Sequence, residues 1–277
     1  MSIQSIEAKY PNAVWYDSNH GGTNSGTLAN PYTSLANAMT NATDSVAVLN
    51  GTHSEDVGVS VPKDLVIVGE SLSAQLNTAE SGETYGDGLQ GNGHIVTLET
   101  LTFYHNGTAS INVMNDGGGT LTIDACKIEY GPLVLAYSNH WGLVTSSGNF
   151  IIKNSVVQCG SKTANGGIIL GRYSNPTSIN IFNNTFIVQS NSDSVNISTD
   201  NSISSSVWKN NIFIGLNGTE VLNFTPSTYK NNCFNNTGET SGGTDNLFQT
   251  DPLFVDPANG DLRLRPNSPC INAGTAS

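Results

Sequence analysis

Five residues in the middle of the chain have the types that a sugar site needs. Tyr137, His140 and Trp141 fall in one polar stretch, and Arg172 with Tyr173 falls in the next. Aromatic rings stack on the apolar face of a sugar while neighbouring donors bond its hydroxyls, so these five form the candidate glycan-binding set. Arg172 is also the mid-chain cation expected at an exposed strand end, with Lys162 near it. Asp193 and Asp200 follow it and Glu129 precedes it. The carboxylate pair of a glycosidase is poorly represented, since no Asp-Asp occurs and Asp116 opens the turn Asp-Gly-Gly-Gly. His20, His53, His94, His105 and His140 show no evident partner and no Gly-x-Ser-x-Gly elbow is present, so each His reads as a surface or coil-edge residue. Cys126, Cys159, Cys233 and Cys270 lack metal-ligand spacing, and Cys159 reads as a reduced, buried side chain.

The elements that must position these residues are written in a repeat. Ile181-Phe-Asn-Asn-Thr-Phe186, Trp208-Lys-Asn-Asn-Ile-Phe213 and Tyr229-Lys-Asn-Asn-Cys-Phe234 are its clearest copies, and Ile152 to Val157 is the same unit with Val for Phe. Ile123–Ile128 and Leu98–Phe103 keep the apolar ends and lose the Asn pair. Asn tolerates a left-handed backbone, so each unit reads as strand, short corner, strand. One such unit cannot bury its own apolar face; copies must stack. Stacking at about 4.8 Å predicts an inward column of Phe103, Ile128, Val157, Phe186, Phe213 and Phe234. It predicts a second column of Leu98, Ile123, Ile152, Ile181, Trp208 and Tyr229. It also predicts an amide ladder of Asn154, Asn183, Asn210 and Asn231.

Composition agrees with many short strands. Hydrophobic residues make up 37% of the 277 and charged residues 12%. The formal charge of -12, with only ten Lys and Arg, argues against nucleic acid or an anionic membrane as partner, since both call for basic clusters. The opening Met-Ser-Ile-Gln-Ser has no basic region followed by an apolar core, so no Sec-type signal peptide is expected. Residues 1–32 read as irregular apart from a strand at Val14-Trp15-Tyr16. A helix is expected over Thr33–Ala42, capped by Thr33 or Ser34, with Leu35, Ala38 and Met39 covering the open end of the stack. Residues 70–95 read as a long loop or an irregular coil, and 235–250 as a loop. Leu133–Leu135, Ile168–Leu170, Val195–Ile197 and Val221-Leu222 are expected to supply a further strand per coil. The organisation is therefore an N-terminal strand, loop and capping helix over 1–45, then the coils and a closing segment over 46–277.

Trp15-Tyr16-Asp17, Gly26–Thr33, Leu49–Glu55 and Leu65–Gly69 resemble the opening of pectate-lyase-like right-handed parallel β-helix proteins. Asp251–Pro257, Gly260–Leu264 and Ser268–Gly274 look like the closing segment common in secreted and phage-borne members. The resemblance implies an all-β fold: a single-stranded right-handed parallel β-helix (solenoid) with a short N-terminal capping helix. It does not fix a function, because the fold carries lyases, hydrolases, esterases, tailspikes and inert structural proteins. The expected function is a non-enzymatic virion or cell-surface structural protein that binds host glycans, a phage capsid decoration, turret or tailspike-like component. The absence of a separate head-binding or trimerisation domain favours the smaller decoration role. The alternative is a polysaccharide lyase or glycoside hydrolase acting on a bacterial or algal glycan. The resemblance would then make Arg172 the base or charge neutraliser and Asp193 or Asp200 a calcium ligand; no other cofactor is expected. Expected partners are other virion or surface proteins and host polysaccharide. A homo-oligomer is expected, a trimer foremost, at a virion surface or outside the cell.

Overall fold

The computed structural model describes the chain apart from residues 56–58, 78–86, 106–110, 116, 131–140, 146, 161–166, 171–175, 190–196, 200–204, 220–226, 238–240 and 276–277. Among the described residues the chain is a parallel β-solenoid, with strands in three parallel sheets of nine, eight and six. The chain visits the sheets in rotation. Ile95–Glu99 lies in the nine-stranded sheet, Thr102–His105 in the eight-stranded and Ile111–Asn115 in the six-stranded, and Thr120–Asp124 then returns beside Ile95–Glu99. The register is unbroken from Leu98 through Ile123, Ile152, Ile181 and Trp208 to Tyr229. It is equally continuous from Phe103 through Ile128, Val157, Phe186 and Phe213 to Phe234. Every member of both columns is buried except Tyr229, which is half-buried near the end of the stack. The rings of Phe186, Phe213 and Phe234 lie nearly parallel, with centroids 4.9 and 4.8 Å apart.

The corner between the first two sheets explains the Asn-Asn pair. Thr100, Ala125, Asn154, Asn183, Asn210 and Asn231 all have φ between 52° and 58°. Each is followed by an inward-facing residue: Leu101, Cys126, Ser155, Asn184, Asn211, Asn232. The expected ladder at the first corner position is only partial. Asn183 donates to Asn154 at 3.4 Å and Asn210 to Asn183 at 3.0 Å, but Asn231 turns away to the carbonyl of Ala273. The continuous ladder is at the second position and is buried. The backbone N–H groups of Ser155, Asn184, Asn211 and Asn232 donate to the side-chain oxygens of Asn184, Asn211, Asn232 and Asn246 at 2.8–3.0 Å. A corner N–H has no strand partner and must find one when buried, which is why a polar side chain is retained inside. The first position is set chiefly by its left-handed backbone, and the exposed side chain of Asn183 adds only the two amide contacts to Asn154 and Asn210. Asn183→Gly should leave stability within a few tenths of a kcal/mol, and Asn183→Ala should cost about 1 kcal/mol, as read by urea unfolding.

Helix α1 (Ile3–Lys9) forms where irregular chain was expected. Ser2 caps it by accepting from the Ser5 N–H, and Lys9 sits in its last turn. It buries Ile6 against Trp15, Ala47 and Val68, on the outside of the nine-stranded sheet. Helix α2 (Leu35–Asn41) is the expected cap, with Ser34 as N-cap and Leu35, Ala38 and Met39 buried over the first coil. Of the two readings of residues 70–95, the irregular coil fits the described part: Ala74–Asn77 and Asp87–Gln90 join the eight- and six-stranded sheets. Residues 235–250 likewise include a rudimentary last coil. Thr244 and Leu247 bridge to Lys230 and Cys233, and Phe248 stacks on Phe234 at 5.4 Å. The closing segment is an antiparallel pair, Phe254–Asp256 with Asp261–Leu264, followed by a tail that returns to the Asn corner.

Candidate functional site

Of the sequence-derived site residues, Tyr137, His140, Arg172, Tyr173, Asp193 and Asp200 lie outside the described residues. Trp141 opens the strand Trp141–Thr145 of the six-stranded sheet, in register with Ile111 and Gly167. The stretch at Leu133–Leu135 also lies outside the described residues, as does Val221-Leu222, while Gly167–Leu170 and Ile197–Thr199 are strands of that sheet.

The polar residues of the opening motif are consumed by the fold. His53 is fully buried, not at a coil edge. Its Nε2 bonds the Leu49 carbonyl at 2.8 Å, and its Nδ1 faces the Ser18 N–H at 3.2 Å and the Ser18 hydroxyl at 3.1 Å. An N–H donor on Nδ1 fixes that nitrogen as acceptor, so Nε2 carries the proton. Asp17 also lies on the Nδ1 side, at 3.7 Å. Ser, His and Asp therefore meet, but on one ring nitrogen, with the other committed to backbone. A nucleophilic triad needs one partner on each nitrogen. Glu55 accepts from the Tyr16 hydroxyl at 2.7 Å and from the Leu35 N–H at 2.8 Å. It thus ties the first strand, the start of α2 and the strand Gly51–Ser54 together. Burial, and then the Glu55 charge, hold the Tyr16 phenol well above its ordinary range.

Among the described residues, the outer face of the nine-stranded sheet carries a row of side chains that suits binding. Its register places Val68, Glu99, Asp124, Lys153, Phe182, Lys209 and Lys230 in one outward row. The parallel row beside it is Thr97, Thr122, Ile151, Asn180, Val207 and Thr228. Three of the chain's ten cations therefore stand within four consecutive coils, around one half-exposed ring. The acidic end of the row is internally neutralised. Lys9 reaches Glu99 at 2.6 Å, the Tyr10 hydroxyl donates to the same carboxylate at 2.5 Å, and Lys153 pairs with Asp124 at 3.1 Å. Lys9 is held above its ordinary range chiefly by that Glu99 bond. At the other end, among the described residues, no carboxylate pairs with Lys209 or Lys230. Like charges directly opposite on neighbouring strands are destabilising.

No family model matches this chain, and no curated protein matches it. Phe182 lies in register between Lys153 and Lys209, and the neighbouring row adds Asn180 on the Phe182 coil and Thr228 on the Lys230 coil as neutral hydrogen-bonding groups. The tail backbone bounds the lower end, where Asn210 bonds both N–H and carbonyl of Thr275 at 2.9 and 2.7 Å. Among the described residues no group of three His, Cys, Asp or Glu is placed to hold a metal, and no helix is long and apolar enough to cross a membrane.

This row escaped the sequence reading although its signal was present. The residue before the corner is Phe182, Lys209 or Lys230 in the Asn-Asn units and Lys153 in the Asn-Ser unit. Attention to the apolar ends of the unit passes over that position, yet strand alternation puts it outward, directly beside an inward apolar residue.

Proposed function

We propose that the chain is a non-enzymatic, surface-displayed β-solenoid whose lateral face holds a carboxylate-bearing glycan. The role is that of a phage capsid decoration or tailspike-like rod of the pectate-lyase-like superfamily. The observation that supports the binding reading is the end of the outward row, Phe182 with Lys209 and Lys230 one and two coils on, where among the described residues no carboxylate pairs with either lysine. A ring for the sugar face and two ammonium groups for carboxylates are what a uronate-type chain requires. Nucleic acid fits less well, because phosphate-backbone binding rests on many cations at once and this face has three in a chain of charge -12.

Magnitude decides how such a face would work. An exposed Lys–carboxylate contact contributes about 0.2–1 kcal/mol, and ring stacking adds a similar amount. Two such lysine contacts and one ring therefore supply at most about 3 kcal/mol, which is weaker than about 1 mM. Useful attachment needs several copies displayed together, so a homo-oligomer, a trimer foremost, or an array on a surface belongs to the same proposal. Binding to immobilised acidic and neutral polysaccharides tests it. The wild type should prefer acidic chains, and Lys209→Ala with Lys230→Ala should weaken that binding about tenfold or more, as should raising the salt to 1 M. Equal binding of neutral chains, untouched by the double substitution, would reject the site. Unsaturated or newly reducing sugar ends would instead support the lyase or hydrolase reading.

A further inference from the structure

A second feature lies where the tail meets the last coils. Cys233 opens the strand Cys233–Thr237 and is buried; Cys270 is on the tail and half-exposed. Both line one crevice of about 180 Å³ beside the Asn corner. They lie 37 residues apart in sequence (270 − 233), and the fold brings both side chains to the same crevice, where the two thiols interact. Around them the tail is fixed by groups that bond its backbone. Asn210 holds Thr275, Asn231 donates to the Ala273 carbonyl at 2.9 Å, and the Ser268 hydroxyl donates to Pro252 at 2.5 Å. The pairing of the two sulfurs is therefore set by a tail whose path is determined independently of them.

We infer that Cys233 and Cys270 form a redox latch: a disulfide, made under oxidising conditions, that locks the tail onto the last coils. The chemistry of the pair is suited to it. The Cys233 sulfur lies 3.5 Å from the Thr250 carbonyl and beside Cys270, and the interaction of the two thiols holds Cys270 below the ordinary thiol range and Cys233 above it. Cys270 is also the more exposed, so it is the attacking thiolate. With a small-molecule disulfide such as oxidised glutathione, Cys270 attacks one sulfur and releases the first glutathione thiol. Cys233 then loses its proton to solvent, attacks the Cys270 sulfur of the mixed disulfide and expels the second. Two protein thiols are oxidised to one disulfide and one glutathione disulfide is reduced to two thiols. Cys126 takes no part. Burial pushes its thiol up to about 12, and its sulfur rests on the carbonyls of Leu98 and Asp124.

The latch restrains the unfolded chain over a 37-residue loop and the native tail directly. Its test is oxidation of the full chain with oxidised glutathione, followed by intact mass, peptide mapping without reductant, and thermal unfolding. Expected are the loss of two hydrogens, a cross-linked peptide pair containing Cys233 and Cys270, a raised unfolding midpoint and slower proteolysis of the tail. All four should vanish in Cys270→Ser, a half-exposed position whose replacement leaves the coils intact. Cys126→Ser should still form the cross-link. A stable glutathione adduct on Cys270, a dimer joined through Cys270, or a cross-link that leaves the midpoint unchanged would each overturn the latch.

Discussion

Replacing Phe213 with Ala should lower the unfolding free energy by about 3–5 kcal/mol. The ring is fully buried and lies between two others of its own kind, Phe186 at 4.9 Å and Phe234 at 4.8 Å, each tilted by 8°. The indole of Trp208 approaches from the facing column at 6.0 Å. A cavity here cannot collapse easily, because the strands on both sides are fixed at sheet spacing by the corner hydrogen bonds and the rings above and below are held by their own coils. Phe213→Leu keeps most of the volume and should cost less than about 1.5 kcal/mol. Guanidinium unfolding checks both. A solenoid is a chain of nearest-neighbour contacts, so the damage should concentrate in the last coils. Hydrogen exchange should show Ile212–Thr219 and Cys233–Thr237 exposed first, while Ile95–Glu99 keeps its protection. Uniform loss along the whole stack would mean that the column is not the unit of cohesion.

Asn211→Ala should cost about 3 kcal/mol for a different reason, the orphaning of buried polar groups. Its side-chain oxygen accepts from the N–H and the amide of Asn184 at 3.0 and 3.1 Å. Its own amide donates to the Ile181 carbonyl and to Asn232, both at 2.9 Å. Alanine leaves the Asn184 N–H and the Ile181 carbonyl without partners in a dry corner, and each such group costs about 1–3 kcal/mol. Asn211→Asp is the sharper test, because it keeps the shape and the acceptor but loses the donor. An ionised Asp there faces the Ile181 carbonyl and the Asn232 oxygen, so its carboxyl is held above the ordinary value of about 3.9. A raised folded value gives stability that is fully present below about pH 4 and is lost as pH rises through the folded value. The Asp variant should therefore be most stable in mild acid and weakest near neutrality, relative to wild type at each pH. A pH-independent difference between the two would show that the corner is wetter than its hydrogen bonds imply.

The repeat made the architecture legible because stacking turns a spacing in sequence into a position in space. Once Phe186, Phe213 and Phe234 are matched, register follows for every residue between them. The strand at Val14–Tyr16 and the capped helix at Leu35–Asn41 were readable from apolar pattern and Ser34 alone. Helix α1 was missed because seven residues with a single buried side chain carry too little periodicity; its docking on Val68 and Trp15 is tertiary. The inner ladder was misassigned by one position. Both members of each Asn pair suit a corner, and only burial distinguishes the one that points inward, Asn184 or Asn211, from the exposed Asn183. His53 was read as a coil-edge residue because its partners, Ser18 and Leu49, are joined to it by the fold and not by proximity to a motif. The meeting of Cys233 with Cys270 depends on the path of the tail, which no periodicity encodes.

The functional proposal rests on Lys209 and Lys230 acting with Phe182 as a holding surface and not as part of a cleaving centre. The most direct measurement is equilibrium dialysis of the chain against a carboxylated oligosaccharide, with the sugar recovered and weighed by mass spectrometry. Retention by the wild type, loss of retention in Lys209→Ala/Lys230→Ala, and recovered sugar of unchanged mass are the predicted result. Shortened or dehydrated oligosaccharide, or equal retention by the double variant, would contradict it.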